Sequence, residues 1–295
     1  KDHYEIVAID LYGTILSSEN HKREFQHDPE YYKAVSISIS RFIRKLKVTK
    51  ERILGVGFVL QGLISADGTR VTYGKILQCT GLTINAFTKY LPYPCRLFHD
   101  AESAAQVELW EDHQLQNAIF FNIRTNLSGA LIVGGRFLLG NELKSGVFEH
   151  MTLVPGGKRC YCGKKGCVDV YCSYPILLEP GETIEVFFTQ LRQGEPAHQK
   201  KWDIYLKNLA TAIDNLHMII DYDIILGGTL ARWLCPEDLD ALHRYVRKHT
   251  AFPSDKPFIR VARQPYIPPA KGAALQFVNE FLVSVMGKKY RQEIK

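Results

Sequence analysis

The chain has 295 residues, 46% hydrophobic and 23% charged, and a formal net charge of +6 at pH 7. That length exceeds an ordinary single core and predicts one large or two medium lobes, and the composition excludes disordered and collagen-like classes. No apolar run approaches the roughly 20 residues that span a bilayer and Lys1-Asp2-His3 is no secretory signal, so a cytoplasmic protein with reduced thiols and no membrane partner is expected.

Residues 4–10 form a short β-rich run ending on Asp10, and Gly13-Thr14 turn it into a second strand. A strand that begins almost at the first residue of a chain opening on Lys1 suggests a piece of a longer protein. Residues 29–47 predict a helix whose apolar face is Ala34, Val35, Ile39, Phe42, Ile43 and Leu46. Residues 53–64 read as a buried strand and turn, and Thr83 as the cap of a helix over 84–90. The strand 95–99 then delivers His99-Asp100 to the start of a helix through Trp110. A carboxylate there can accept a proton from a hydroxyl, its ionised form favoured by the helix dipole, although an ordinary helix cap reads the same way.

Residues 118–123 predict a central strand, and Gly134-Gly135 a tight hairpin turn between 131–133 and 137–139. Residues 182–192 and 200–221 read as helices separated by a break at Gly194-Glu195-Pro196-Ala197. Residues 223–230 read as a strand entering a Gly227-Gly228 turn, followed by a helix over 238–249, a strand over 258–262, a linker over 265–269 and a last helix to about 285. Basic residues come in short clusters, Lys158-Arg159, Lys164-Lys165, Lys200-Lys201 and Lys288-Lys289 with Arg291, which read as solvated surface before contact with an acidic partner or nucleic acid. No helix-turn-helix stands out.

The most informative stretch lies at 149–169. Cys160, Cys162 and Cys167 are spaced C-x-C-x4-C with Gly163 and Gly166 between them, and His150 stands ten residues upstream. Zinc takes four nitrogen or sulfur ligands in a tetrahedron, and a short glycine-bearing loop lets thiolates turn inward. His150 or Cys172 supplies the fourth ligand. A shell closed in this way is structural, and its apparent contribution is on the order of 10 kcal/mol.

The same residues resemble the signature of the ROK family (repressors, open reading frames and sugar kinases), with Asp169 where the family usually has Glu. The resemblance implies an α/β, two-lobed actin-like ATPase (ribonuclease H-like) fold with a zinc-binding loop. The expected division is 1–98 plus 272–295 against 99–271, with the zinc loop at 150–167. It implies zinc on His150, Cys160, Cys162 and Cys167, and a carbohydrate between the lobes near His99, Asp100, Glu149, His150 and Asp169. Asp10, Gly13, Thr14, Gly227 and Gly228 match the family's nucleotide positions, where a kinase would hold ATP and Mg and use Asp100 as general base.

Departures from the kinase pattern are concentrated at the phosphate loops. Tyr12 replaces a glycine of the first, and only Gly129 remains of the glycine run of the second, beside Arg124. Val147 and Glu149 exchange the family's Glu and Gly. His99-Asp100 is closer to the family's sugar-responsive transcriptional regulators than to its kinases. The resemblance thus favours a sugar-sensing effector domain of a regulator, DNA being bound through a segment before residue 1, with an ATP-dependent sugar kinase as the alternative and a homodimer or homotetramer as the assembly.

Overall fold

In a computed structural model, residues 2–265 and 267–293 are described. The chain divides into two compact units, Lys1–Gln114 with Gly140–Lys144 and Ile267–Lys295, and Leu115–Leu139 with Ser145–Tyr266.

In the first unit, β1 (His3–Ile9) and β2 (Ile15–Lys22) form the expected antiparallel hairpin. Helix α1 (Pro29–Lys45) starts where the Asp28 carboxylate accepts the Tyr31 N–H at 2.7 Å, and it buries the predicted Val35, Ile39, Phe42 and Ile43. Residues 53–64, read as a strand and turn, hold two strands: β3 (Val56–Leu60) pairs in parallel with β6 (Cys95–His99), and beyond a bend at Gln61-Gly62, β4 (Leu63–Ile64) pairs with β5 (Val71–Tyr73). The turn at Asp67-Gly68 joins β4 to β5: Asp67 accepts Ser65 and Thr69 hydroxyls and Gly68 takes φ +70°. Thr83 does not cap α2 (Asn85–Thr88): its backbone is drawn into a bridge with Arg70, and Ile84 occupies the cap position without a side-chain bond.

Helix α3 (Asp100–Glu111) packs against α8 (Pro269–Glu293), so it belongs to this unit, whereas the division drawn from sequence sets it in the other. The helices approach so closely at Gly272 that a Cβ there would lie 1.6 Å from the Ser103 carbonyl oxygen. Lys271, 6% exposed, reaches Glu111 at 3.2 Å beside this crossing.

The second unit is built on a five-stranded sheet in the order β11 (Ile259–Val261), β10 (Ile224–Gly227), β7 (Ala118–Ile123), β8 (Leu127–Val133), β9 (Arg136–Phe137). β10 runs parallel to both β7 and β11, and β8 is antiparallel to both β7 and β9. Every residue of β7 and β10 is buried, as central strands require. The sheet is covered by α4 (Asp169–Cys172), α5 (Ile184–Arg192), α6 (Pro196–His217) and α7 (Pro236–His249), with Phe121, Phe187, Tyr205, Leu209 and Ile213 in its core. The break expected at 194–197 is present at Gly194-Glu195 and ends earlier than expected, with α6: Pro196 holds the first helical position and the Glu195 carboxylate accepts the His198 N–H at 2.9 Å.

Asp238 secures the packing of α5, α6 and α7. Its carboxylate accepts both Arg192 guanidinium nitrogens, the Trp202 indole N–H at 2.8 Å and the Cys235 backbone N–H at 3.0 Å. Burial disfavours its charge, yet Arg192 with the Cys235 and Trp202 donors outweighs that cost and holds the carboxyl below the usual range.

Two measurements check this packing. Gly272→Ala is expected to lower stability by about 3 kcal/mol, read as a fall in thermal midpoint, because helix backbone and not a flexible side chain must move. Asp238→Asn is expected to cost about 2 kcal/mol near neutral pH, since the half-exposed Arg192 regains water and is not stranded as a buried charge. A depressed carboxyl contributes fully above its unfolded value and loses that contribution as pH falls through its folded value. Denaturant titrations of the protein and Asp238→Asn should therefore converge as pH falls from about 5 toward 2.

Candidate functional site

The β1–β2 turn carries the first group of predicted residues. One oxygen of Asp10 accepts the backbone N–H of both Tyr12 and Thr14 at 2.9 Å, and the Gly13 N–H goes to the Asp10 carbonyl at 3.1 Å. The amides of residues 12–14 are thus turned onto Asp10 itself. Gly13 adopts φ +77°, and a Cβ on it would meet the Trp110 indole nitrogen at 2.7 Å; that indole donates to the Tyr12 carbonyl at 3.3 Å. The Tyr12 side chain is 85% exposed at the tip. Trp110 was invisible to sequence reasoning because it lies 98 residues from the carbonyl it holds.

His99 ends β6 and Asp100 opens α3, both nearly buried at 8% and 6% exposure. His99 Nε2 lies 3.4 Å from Asp100 and Nδ1 lies 3.6 Å from Glu102, so the imidazole sits between two carboxylates of the helix's first turn. The N-cap position belongs to His99, without a side-chain cap bond, and Asp100 is the first helical residue.

In the second unit, the β7–β8 turn at 124–126 closes through an Arg124 N–H to Asn126 carbonyl bond of 3.2 Å. Its surviving glycine has a packing role: a Cβ on Gly129 would stand 2.3 Å from the Phe148 ring. The Gly227-Gly228 turn is likewise pressed onto β7, with Gly227 over Phe120 and Gly228, at φ +82°, over the Ile123 backbone and Asn122. Asp169 is 3% exposed and accepts the Leu127 N–H at 2.7 Å, tying α4 to the start of β8. Burial raises its carboxyl above the ordinary value despite that bond.

Phe148, Glu149 and His150 form a single 3₁₀ turn beside β8, with Glu149 6% exposed. From it His150 meets the cysteine loop. One ligand atom from each of His150, Cys160, Cys162 and Cys167 lies within 4.8 Å of the other three. His150 Nδ1 is 3.7 Å from Cys160 Sγ, and Cys162 Sγ is 3.7 Å from Cys167 Sγ. Tetrahedral zinc with ordinary bond lengths requires N–S and S–S edges of about 3.6 and about 3.8 Å. The donor set therefore fits a closed four-coordinate metal site.

Burial pushes the Cys160 thiol up to about 12, so it would take a bound cation to hold it as a thiolate at neutral pH. Burial, with Lys164 nearby, lowers the His150 imidazole and favours the neutral form that ligates. Cys172, the rival ligand, is fully buried in the apolar core, and its carbonyl accepts the Tyr205 hydroxyl at 2.6 Å. The loop is shaped by Gly163 at φ +99° and by Gly166, where a Cβ would meet the Val154 carbonyl at 1.8 Å. With His150 Nδ1 facing the cluster, Nε2 lies on the opposite side of the ring.

Fold and site together define a two-unit α/β protein carrying a His-Cys loop able to hold a metal. The ROK family model matches residues 1–274, and the chain belongs to the ROK family. It is 26% identical to the xylose repressor of Bacillus spizizenii over 62% of this chain and 48% of that protein, and 27% identical to the kanosamine kinase of Amycolatopsis mediterranei over 60% and 61%. The match thus spans about half the length of the repressor. Among solved structures, a ROK family transcriptional regulator homologous to the Escherichia coli MLC protein matches at TM-score 0.77 and 18% identity, covering 96% of this chain and 78% of that one. A ROK glucokinase of Streptomyces griseus, in complex with glucose and AMPPNP, matches at TM-score 0.77 and 18% identity, covering 93% and 96%. Both repressors and sugar kinases are therefore relatives. No helix among the described residues is long and apolar enough to cross a membrane.

If the cluster is one tetrahedral site, the protein should carry one metal ion per chain by elemental analysis. Cys167→Ser should lower that content and the thermal midpoint together, by several kcal/mol in apparent stability, because the loop has no packed core to replace the bonds.

Proposed function

We propose that this chain is the sugar-sensing effector part of a ROK-type transcriptional regulator. One observation carries the proposal: the β1–β2 turn, where a kinase of this family would cradle phosphate, has its amides committed to the Asp10 carboxylate and Trp110 against Gly13. An anion brought to this turn would face a carboxylate already holding the donors, and like charges repel.

Taken unit by unit, the proposed sugar contacts are His99 and Asp100 in the first, and Glu149 and His150 in the second, where Asp169 fixes the start of β8. Buried carboxylates and imidazoles accept hydroxyl hydrogens strongly, which suits a polyol ligand. Zinc on His150, Cys160, Cys162 and Cys167 would have a structural task, fixing His150 and its loop; a closed shell supplies no open position for substrate. Regulation requires the sugar to bind one conformation more tightly than another, since equal affinity shifts nothing. DNA would be engaged through a segment preceding this chain.

A second reading, a sugar kinase, rests on Asp100 at the head of α3, where a general base would stand. Calorimetric titration of the metal-loaded protein decides between them. Glucose, N-acetylglucosamine and xylose form the sugar panel, because relatives are named for the last two or bind the first. The expected result is heat from one of these sugars, none from Mg-ATP at millimolar concentration, and an affinity loss of about tenfold or more in Asp100→Asn. Tight Mg-ATP binding with phosphoryl transfer to the sugar would establish the kinase instead.

A further inference from the structure

The His-Cys loop carries a feature that neither metal binding nor sugar recognition uses. Between Met151 and Val168 there is no Asp or Glu, while Lys158, Arg159, Lys164 and Lys165 all fall within eight positions. All four are exposed, and among the described residues none is ion-paired with a carboxylate.

Their backbones are fixed. The Cys160 N–H donates to the Lys164 carbonyl at 2.9 Å and the Gly166 N–H to the Lys158 carbonyl at 2.8 Å, and Arg159 and Lys165 are direct partners in an antiparallel bridge. Directly opposed residues of such a pair share one face, where like charges destabilise each other. Two of the cations are thus held against their mutual repulsion, which an external anion would relieve. Lys164 also reaches the His150 carbonyl at 2.9 Å, and Lys158 lies over the Tyr171 ring at 5.4 Å. These contacts anchor the base of the patch and leave its charge unneutralised.

We propose that this loop is a contact surface for the phosphate backbone of duplex DNA, in a sequence-independent manner. The proposal deepens the regulator reading and rests on it. Three lysines to one arginine on a polar, glycine-rich loop is unlike the core of a protein–protein interface, where lysine is depleted and aromatic side chains are enriched. The loop's one aromatic, Tyr161, is turned against the His150 ring at 5.1 Å. Lysines without an apolar anchor suit backbone phosphates, which give affinity and orientation without sequence information.

The test is fluorescence anisotropy of a short random-sequence DNA duplex with the metal-loaded chain over a series of salt concentrations. The unaltered chain should show a log–log salt slope of magnitude about 3 to 4, from about four phosphate contacts. The combined variant Lys158→Gln, Arg159→Gln, Lys164→Gln, Lys165→Gln should lose about tenfold or more in affinity at low salt and most of that slope, while keeping its metal content. A control removing four scattered exposed cations, Lys22→Gln, Lys89→Gln, Arg136→Gln and Lys200→Gln, should lose far less.

Equal losses in variant and control would reduce the effect to net charge and overturn the surface. Tighter binding of the unaltered chain to poly-glutamate than to DNA at equal salt would overturn it in favour of an acidic protein partner. A slope near zero in protein that still binds sugar overturns the surface and leaves the regulator reading standing, and this measurement needs no variant. A normal slope without sugar binding upholds the surface and counts against the regulator reading.

Discussion

The loop from His150 to Val168 has little apolar surface to bury, so its shape depends on four side chains meeting at one point. The cluster is fastened to the sheet by neighbouring packing: Phe148, two residues before His150, lies against Gly129 of β8 and packs, its ring tilted by 44°, at 4.5 Å from the Phe121 ring of β7. Asp169, two residues after Cys167, binds the first amide of β8. Both ends of the loop are thereby referred to the same strand. A buried hydrogen bond and aromatic packing hold the two ends in register, and a metal on the four side chains would hold the loop between them.

The glycines at the positions that resemble the family's phosphate loops have packing duties here. Gly129 makes room for Phe148, and Gly227 and Gly228 make room for β7. Gly13 makes room for Trp110, and the amides around it answer to Asp10. The residues that shape a nucleotide site in one relative are thus compatible with a closed turn in another, because close backbone approach serves a tryptophan as well as a phosphate. Fold and activity separate at this point, and the site decides.

Charge is placed differently in the two units. In the second, the buried Asp238 is surrounded by donors, so its ionised form stabilises the helix layer. In the first, His99 stands between Asp100 and Glu102 at distances longer than ordinary hydrogen bonds.

The sequence alone determined the local elements and the metal ligand types. Periodicity placed α1, β7, β10 and α7 because a buried face imposes its spacing on the chain, and the C-x-C-x4-C spacing was legible because all three cysteines lie in one short loop. It set the start of α6 at 200 and not at Pro196, since a proline that ends one helix can open another. It also read 53–64 as a strand and turn without showing that the residues beyond the Gln61-Gly62 bend pair with β5 across the Asp67-Gly68 turn. Only the tertiary structure decided which fourth residue joins the cysteines, His150 in the cluster or Cys172 in the core. It also revealed that Trp110 seals the first turn and that Phe148 explains Gly129. These contacts depend on side chains brought together from distant elements, and no spacing along the chain encodes where a helix will set its indole.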